Sequence, residues 1–373
     1  MRSLVILVCT IAAATAQCVP SVTTAIGTKA PATICSGDLI FNDDFNTFDL
    51  STWNHERTAG GGGNWEFQIY NNNRSNSFVR DGKLFIKPTL TTDMYGDGFL
   101  ESGVLNLHGG APADVCTNPR DWGCERTGSP TNVLNPLNSA RIRTVESFSF
   151  TYGRVEVRAK LPAGDWIWPA IWLMPRDNFY GGWPTSGEID LTEGRGNKQL
   201  IQNGQNIGTE LSSSTLHFGP FWPLNGYERA HFEKNSAPNN GFDVDFNRFQ
   251  LEWTPDYIRF SINDEIIGQV TPTAGGFWEL GQFNSQVGPV DNPWIYGNKM
   301  APFDQPFYLI LNVAVGGVNG YFPDGAQNPG GKPWLNTSPQ ASTDFWNGRN
   351  QWLATWNGED IAMQVDYVKI WAL

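Results

Sequence analysis

Short segments in which apolar and polar residues alternate recur along this chain, and stretches rich in glycine, proline and asparagine separate them. A two-residue alternation is typical of a β-strand with one buried face, whereas the spacing of an amphipathic helix is hard to find. The clearest predicted strands are residues 39–41, 83–86, 141–143, 154–159, 249–253, 258–262, 308–315 and 363–371. Many short strands at this spacing predict an all-β protein, a sandwich of two antiparallel sheets.

Three segments between predicted strands are long for simple hairpins. They are residues 109–138, 197–240 and 323–351; all are rich in Gly, Pro and Asn, and each contains Trp. Long ordered loops on a rigid sandwich usually shape a binding cleft. The 373 residues suit one large domain, which we expect at 37–373 after a short N-terminal segment at 17–36.

The first 16 residues have the pattern of a signal peptide. Arg2 provides the positive charge, residues 4–13 the apolar stretch and residues 14–16 an Ala-x-Ala cleavage site. No other stretch approaches about 18 apolar residues, so we expect a secreted protein that does not interact with membranes. The Asn-x-Ser/Thr sequons at Asn73 and Asn336 fit export and predict a glycoprotein.

Loss of the signal peptide removes Cys9 and leaves Cys18, Cys35, Cys116 and Cys124. An even number of cysteines in an oxidising compartment predicts two disulfides. Four cysteines allow three pairings, of which local closure favours Cys18–Cys35 and Cys116–Cys124.

The formal net charge is −12, and removal of the one charge on Arg2 would make it −13. Such a chain repels nucleic acid, anionic membranes and sulfated or uronic polysaccharides. We therefore expect a neutral ligand and no nucleic-acid partner, although the acidity could also serve solubility alone. We expect the protein to be a monomer.

Candidate chemistry is concentrated in residues 187–193, where three carboxylates follow an aromatic-rich predicted strand at 168–174. Alternation along a strand directs Glu188 and Asp190 to one face and Glu193 to the other. One extra residue, a β-bulge near residues 191–192, would return Glu193 to the face of the other two acids. The alternative is a solvated acidic edge strand that ends in a turn at Gly194.

Paired carboxylates on one strand face can hydrolyse a glycosidic bond. With the bulge, the Cα atoms of Glu188 and Glu193 would lie about 13 Å apart. A retaining glycosidase needs its two carboxyls about 5 to 5.5 Å apart, a gap that two long glutamate side chains can close. Asp190 between them could orient either carboxyl, and its charge would raise the pKa of one glutamate.

Aromatic residues near the acids could supply sugar-stacking faces. Trp168 and Trp172 are four residues apart and face the same way on a strand, and Trp183 precedes the acids. The alternative is that these rings fill the core. His217 could assist a leaving-group sugar or satisfy a buried polar network. No residue pattern suggests zinc, a phosphate-binding loop or a Ser/His/Asp triad, so we expect catalysis without a cofactor.

The segments 168–175 and 187–193 together resemble glycoside hydrolase family 16, in its laminarinase-like branch. Other stretches that support this resemblance are residues 64–70, 139–142, 215–219, 311–317 and 365–368. The insertion at 116–143 is most similar to that of animal β-1,3-glucanases and the related β-1,3-glucan recognition proteins.

This resemblance implies a concanavalin-like β-jelly roll with a concave substrate cleft and endo-hydrolysis of β-1,3-glucan with retention. Glu188 would be the nucleophile, Glu193 the acid/base and Asp190 their hydrogen-bonding partner. The implied sugar-binding residues are Asn64, Arg141, Trp168, Trp172 and Trp183. The resemblance also implies a structural calcium, for which the candidate residues are Asp366, Asp44 and Gly82.

Two alternatives share the same substrate: a non-catalytic glucan-recognition lectin and a transglycosylase. Recognition proteins of this kind often carry a separate N-terminal glucan-binding module and have lost the catalytic glutamates. This sequence keeps both acids, and we expect no room for such a module. We therefore favour a secreted retaining endo-β-1,3-glucanase over the lectin.

Overall fold

The alternating segments form strands in the computed structural model, which describes residues 17–373; the predicted signal peptide lies outside these residues. In chain order the strands are β1 (Thr24–Ile26), β2 (Leu39–Asp43), β3 (Asn54–His55), β4 (Gln68–Tyr70), β5 (Ser77–Arg80), β6 (Lys83–Ile86), β7 (Thr89–Leu90), β8 (Val104–Asn106), β9 (Glu125–Thr127), β10 (Leu137–Ser139), β11 (Arg141–Arg143), β12 (Ser149–Thr151), β13 (Gly153–Lys160), β14 (Ile167–Pro175), β15 (Glu188–Gly194), β16 (Ile201–Gln202), β17 (Gln205–Asn206), β18 (Leu211–His217), β19 (His231–Asn235), β20 (Asn247–Trp253), β21 (Ile258–Ile262), β22 (Glu265–Val270), β23 (Phe307–Val315) and β24 (Met363–Trp371).

Helices are short and lie in the connections. The α-helices are α1 (Thr91–Tyr95), α2 (Phe99–Ser102), α3 (Gly276–Gly281), α4 (Phe283–Val287) and α5 (Ala341–Asn347). Single 3-10 turns occur at Gly61–Gly63, Pro112–Asp114, Arg120–Trp122, Tyr227–Arg229, Arg349–Gln351 and Leu353–Thr355.

Two large antiparallel sheets form the sandwich, a β-jelly roll. The site sheet has the order β1-β12-β23-β14-β15-β18-β19, and β11 and β3 extend it beside β23. The back sheet has the order β22-β21-β20-β13-β24-β6-β5, with β2 beside β24. The predicted fold, an all-β sandwich of two antiparallel sheets, is confirmed.

The facing sides of the two sheets bury one continuous apolar core. Ile171, Ile189 and Leu311 of the site sheet belong to the same buried cluster as Val157 and Phe249 of the back sheet. Strands with one face in this core and the other outside must alternate apolar and polar residues, because successive side chains point to opposite faces. This requirement explains the alternation in the sequence.

The predicted strands are confirmed, but the prediction that 197–240 is a long loop is wrong in part. Strands β18 and β19 lie within it, and β18 pairs with β15 in the site sheet. The central part of β18 is the run Ser212 to Thr215, which is buried throughout. Hydroxyl side chains on both faces remove the apolar alternation, so the sequence pattern does not indicate this strand.

The N-terminal segment packs on the sandwich. Strand β1 pairs with β12 of the site sheet, and Ser21 Oγ donates a hydrogen bond to the carbonyl of Leu373, 2.9 Å away. The favoured disulfides, Cys18–Cys35 and Cys116–Cys124, are both confirmed. Among the described residues there is no helix with the length and hydrophobicity needed to cross a bilayer.

Candidate active site

Strand β15 carries the three acids, and it contains the predicted bulge. Asp190 pairs with Thr215 and Glu193 with Ser213, so three steps along β15 match two along β18. The pairing with β14 shifts at the same place, which leaves Leu191 as the extra residue. The bulge changes the alternation after Asp190, and Glu193 then faces the same side as the other acids. The bulge prediction is confirmed.

The start of β15 depends on a glycine. Gly187 has φ +85°, and a side chain there would meet the ring of Phe303 at 2.9 Å. Only glycine adopts this left-handed conformation without strain, and here it also avoids the contact. The tight turn brings Glu188 onto the strand directly after the loop that holds Trp183.

Glu188 and Asp190 share contacts with His217, which lies opposite Glu188 on β18. His217 Nε2 is 3.3 Å from Asp190 Oδ2 and 4.0 Å from Glu188 Oε1. Trp183 Nε1 donates a hydrogen bond to Glu188 Oε2 at 2.8 Å. Asp190 is 2% exposed, so its carboxyl is nearly cut off from water.

Glu193 contacts the next part of the site. Trp168 Nε1 donates a hydrogen bond to Glu193 Oε1 at 2.9 Å. The Trp168 ring stacks on Tyr321 at 3.9 Å between centroids, and the Arg195 guanidinium lies over the other face of the stack, 4.0 Å from the Tyr321 centroid. Trp168 is 7% exposed, which leaves little ring surface for a sugar. Its clearest contact is with Glu193.

Burial and a neighbouring negative charge raise the pKa of two of the acids, Asp190 and Glu193. Burial raises the pKa of Asp190 well above its usual value, and the charge of Glu188 raises it further. Burial also raises the pKa of Glu193, and the charge of Glu188 raises it further, whereas a positive charge on His217 would lower it and the hydrogen bond from Trp168 lowers it. A raised pKa in one glutamate was expected, and the main cause is burial rather than the charge of Asp190.

His217 lies between opposing influences. Burial lowers its pKa, whereas the close contact with Asp190 and the negative charges of Glu188, Asp190 and Glu193 raise it; these groups by themselves place the pKa at about 9. Asn225 contacts the other ring nitrogen, with its Nδ2 2.8 Å from His217 Nδ1. The histidine is therefore part of a polar network that includes the acids.

Arg141 and Trp172 lie on the opposite side of the acids from His217. The Arg141 guanidinium stacks over the Trp172 ring, 4.5 Å from its centroid, and its Nε lies 3.3 Å from Glu56 Oε1. Trp172 Nε1 donates to Asn312 Oδ1 at 2.7 Å. Trp172 is on β14, directly beside β15, and Arg141 is on β11, which pairs with β23. The pair is therefore near the acids but on other strands of the site sheet.

Glu66 is a buried acid that no pattern in the sequence indicated. It accepts hydrogen bonds from Gln68 Nε2 at 2.7 Å and from Asn64 Nδ2 at 3.1 Å, and Tyr70 OH donates to it at 3.4 Å. Tyr70 OH in turn accepts from Asn312 Nδ2 at 3.1 Å. Asn64, a predicted sugar ligand, therefore belongs to a network that reaches Trp172 through Asn312.

Three exposed aromatic rings extend from His217, and we call Trp183, Trp222 and Tyr227 the aromatic wall. Trp183 and Trp222 have ring centroids 5.4 Å apart, and Tyr227 lies 5.6 Å from His217. Their exposed fractions are 38%, 66% and 40%. Only Trp183 was selected from the sequence. Trp222 and Tyr227 lie in the segment 197–240, and its Gly-, Pro- and Asn-rich composition, typical of a cleft-forming loop, was the available signal.

The predicted calcium ligands are already paired with cations of the chain. Asp366 forms an ion pair with Arg158, and Asp44 Oδ1 is 3.8 Å from Lys369 Nζ. Gly82 lies in the turn between β5 and β6. A calcium ion would have to displace these lysine and arginine contacts, so we derive no role for it, and the site stays a prediction.

Glu188, Asp190 and His217 are the described residues that come close enough together to hold a metal. Each offers one ligand atom, and these atoms lie within 4.8 Å of one another. Each of the three has polar contacts within the chain, and we assign no metal to them.

The fold and the site define a class: a β-jelly roll with a carboxylate cluster on a bulged strand of one sheet. A sequence profile described as "Glycosyl hydrolases family 16" matches residues 132–288. A "Beta-1,3-glucan-binding protein" of Penaeus monodon is 51% identical over 343 residues, which are 90% of each chain. The chain belongs to glycoside hydrolase family 16, in its laminarinase-like group.

One further sequence relative and one solved structure are similar to most of this chain. "Glucan endo-1,3-beta-glucosidase A1" of Niallia circulans is 32% identical over 360 residues, which are 93% of this chain and 39% of the relative. The structure of the laminarinase from Rhodothermus marinus has a TM-score of 0.53 at 23% identity, and it covers 90% of this chain and 98% of that one. At this sequence identity, the structural similarity shows that the two proteins share a fold.

Proposed function

We propose that this protein binds β-1,3-glucan across the site sheet and hydrolyses it with retention of configuration. The observation that carries the proposal is the bulge in β15, which brings Glu193 to the face that bears Glu188 and Asp190. A strand without the extra residue would direct Glu193 into the core. A purely glucan-binding surface has no evident need for this arrangement.

The proposed reaction uses the two glutamates in turn. Glu193, with its raised pKa, is the acid that protonates the glycosidic oxygen, while Glu188 attacks the anomeric carbon and forms a glycosyl ester. In the second step the ionised Glu193 takes a proton from a water molecule whose oxygen attacks the anomeric carbon; the ester bond to Glu188 breaks, and the sugar is released. Trp183 and His217 contact Glu188 and Asp190 and hold them in place.

The proposed substrate is neutral glucan. The three carboxylates and the formal net charge of −12 both disfavour an anionic polymer. The aromatic wall on one side and the Arg141–Trp172 pair on the other offer ring faces and planar polar groups, which suit the apolar faces and hydroxyl edges of glucosyl units.

Site variants test the hydrolysis. We expect Glu188→Gln and Glu193→Gln to lower the release of reducing ends from laminarin on the order of 10³-fold or more, while laminarin binding persists. Glu125→Gln is the matched control, because Glu125 is exposed and lies on β9, outside the site sheet. Full activity in either site variant would refute the assignment of that glutamate.

Binding without hydrolysis is the second candidate, and the names of the relatives favour it. The relative with 51% identity is called a glucan-binding protein. Purified wild-type protein that binds laminarin but releases no reducing ends, with Glu188 and Glu193 intact, would establish this candidate over the first.

We also propose that the protein is exported. The two disulfides support this, because disulfides persist in oxidising compartments. Mass spectrometry of protein secreted by a eukaryotic host would test both the cleavage after Ala16 and glycosylation at Asn73 and Asn336.

A further inference from the structure

Asn225 is held in one orientation by the backbone around it. Its Oδ1 accepts hydrogen bonds from the backbone N–H of Phe218 at 3.3 Å and of Tyr227 at 3.2 Å. Backbone N–H groups can only donate, so the side-chain oxygen must face them. The amide nitrogen is then the atom that faces His217 Nδ1 at 2.8 Å.

This orientation decides which nitrogen of His217 carries the proton. Asn225 Nδ2 is a donor, so His217 Nδ1 must accept and cannot itself hold a proton. Both an imidazolium and the Nδ1–H tautomer would place two donors against each other. Turning the amide over would instead place Nδ2 against two backbone N–H groups. The form that fits the contact with Asn225 is neutral and has its proton on Nε2, which lies 3.3 Å from Asp190 Oδ2.

The charged groups around His217 favour its doubly protonated form, which the contact with Asn225 opposes. Glu188, Asp190 and Glu193 on β15 favour an imidazolium, and the pKa of about 9 that they produce by themselves would keep His217 charged at neutral pH. The ring of Tyr227 covers His217 at 28° to its plane, and Trp183 lies 5.7 Å away. Of these neighbours, the carboxylates favour a second proton, and Asn225 presents the donor that opposes it.

We propose that Asn225 is a positioning residue that holds His217 as the neutral tautomer with its proton on Nε2, the ring nitrogen on the side of the acids. Hydrogen bonds then run in one direction, from the backbone N–H groups to Asn225 and from Asn225 to His217. The consequence for catalysis rests on the proposed function. A neutral His217 withholds a positive charge that would make Glu193 a stronger acid, so the pKa of Glu193 stays higher than it would be beside an imidazolium.

The tautomer can be measured directly on the intact protein. The chain has four histidines, so ring nitrogen spectra of ¹⁵N-histidine-labelled protein are simple, and a His217→Gln variant assigns the signal. We expect an unprotonated Nδ1 and a protonated Nε2 at neutral pH. Protonation of both nitrogens, or of Nδ1 alone, would overturn the proposal. This measurement of the tautomer does not require activity, so its outcome is independent of whether the protein hydrolyses glucan.

A near-isosteric variant tests the cause. Asn225→Asp keeps an oxygen for the two backbone N–H groups and replaces the donor to Nδ1 by an acceptor. We expect His217 to gain a second proton at neutral pH and the alkaline limb of the activity profile to move down by about one pH unit. Asn132→Asp adds the same charge at an exposed turn and should change neither. If His217 in Asn225→Asp keeps the protonation state of the wild type, Asn225 does not control it, and the proposal is overturned. If His217 gains the second proton but the alkaline limb of the activity profile does not move, the proposed effect of His217 on Glu193 is overturned.

Discussion

Trp168 shows how a single side chain can act on the acids rather than on the sugar. Its ring is 7% exposed and is covered by Tyr321, but its indole N–H reaches Glu193. A donor to a carboxylate favours the ionised form. Trp168 therefore lowers the pKa of Glu193 and partly offsets the rise that burial causes.

Trp168→Phe should separate these contributions. It keeps a ring against Tyr321 and removes the N–H donor, so the pKa of Glu193 should rise further. Glu193 would then remain protonated to higher pH, and the alkaline limb of kcat/KM on laminarin should move up by about one unit. Trp172→Phe is the control, because Trp172 donates to Asn312 instead. An equal shift in both variants would contradict a specific effect of the Trp168 N–H.

The residues that could be predicted from the sequence are those whose role follows from local spacing. Glu188, Asp190 and Glu193 lie within one strand, so alternation together with the chemistry required the bulge. The cover of Trp168 by Tyr321 and the contact of His217 with Asn225 depend on how separate loops pack. No local pattern indicates which distant ring or amide will meet a given side chain.

At the scale of elements, the same contrast separates β15 from β18. Ile189 and Leu191 of β15 are in the core, and they give that strand a recognisable apolar pattern. Strand β18 is as deeply buried, but Ser214 Oγ donates to the carbonyl of Leu191 at 2.6 Å and Thr192 and Ser212 share a hydrogen bond at 2.7 Å. These hydroxyl groups form hydrogen bonds with the bulged backbone at Leu191 and with the side chain of Thr192. For that reason β18 carries polar residues although it is buried.

The loops that carry the aromatic wall are fixed to one another. Thr185 Oγ1 donates to the carbonyl of Pro220 at 3.0 Å, and Trp294 Nε1 donates to the carbonyl of Thr185 at 2.8 Å. The loop before β15 and the loop after β18 therefore hold Trp183 and Trp222 in contact. A wall that is ordered before binding loses little entropy when a sugar stacks on it.

Trp222→Ala tests whether the wall binds glucan. Trp222 is 66% exposed, so its removal should leave the fold intact and lower laminarin affinity by about tenfold, the loss expected for one stacking ring. If the protein hydrolyses glucan, KM should rise more than kcat falls. Ile266→Ala removes a similarly exposed apolar side chain from β22 of the back sheet and should have no effect. Unchanged affinity in Trp222→Ala would exclude the wall from binding.

At the scale of the whole molecule, both chain ends of the described residues meet. The Cys18–Cys35 loop lies beside the last strand, with Leu373 N donating to Thr23 Oγ1 at 2.9 Å. Strand β1 belongs to the site sheet and β24 to the back sheet. The N-terminal segment therefore connects the two sheets at the β1 edge of the site sheet. Because several strands separate β1 from β15, the acids depend on this segment only through the packing of the sandwich.

The overall charge gives the last prediction, which concerns substrate choice. A formal net charge of −12 and three acids at the site repel an anionic polymer over roughly a Debye length, which is about 10 Å at 0.1 M salt. Neutral laminarin should bind with an affinity that changes less than about twofold between low and high salt. Laminarin of the same chain length carrying sulfate groups should bind more weakly, and its affinity should increase as salt screens the repulsion. Titration calorimetry of both polymers at two salt concentrations measures this, and tighter binding of the sulfated polymer at low salt would show that local arginines, rather than the acids and the net charge, govern the cleft.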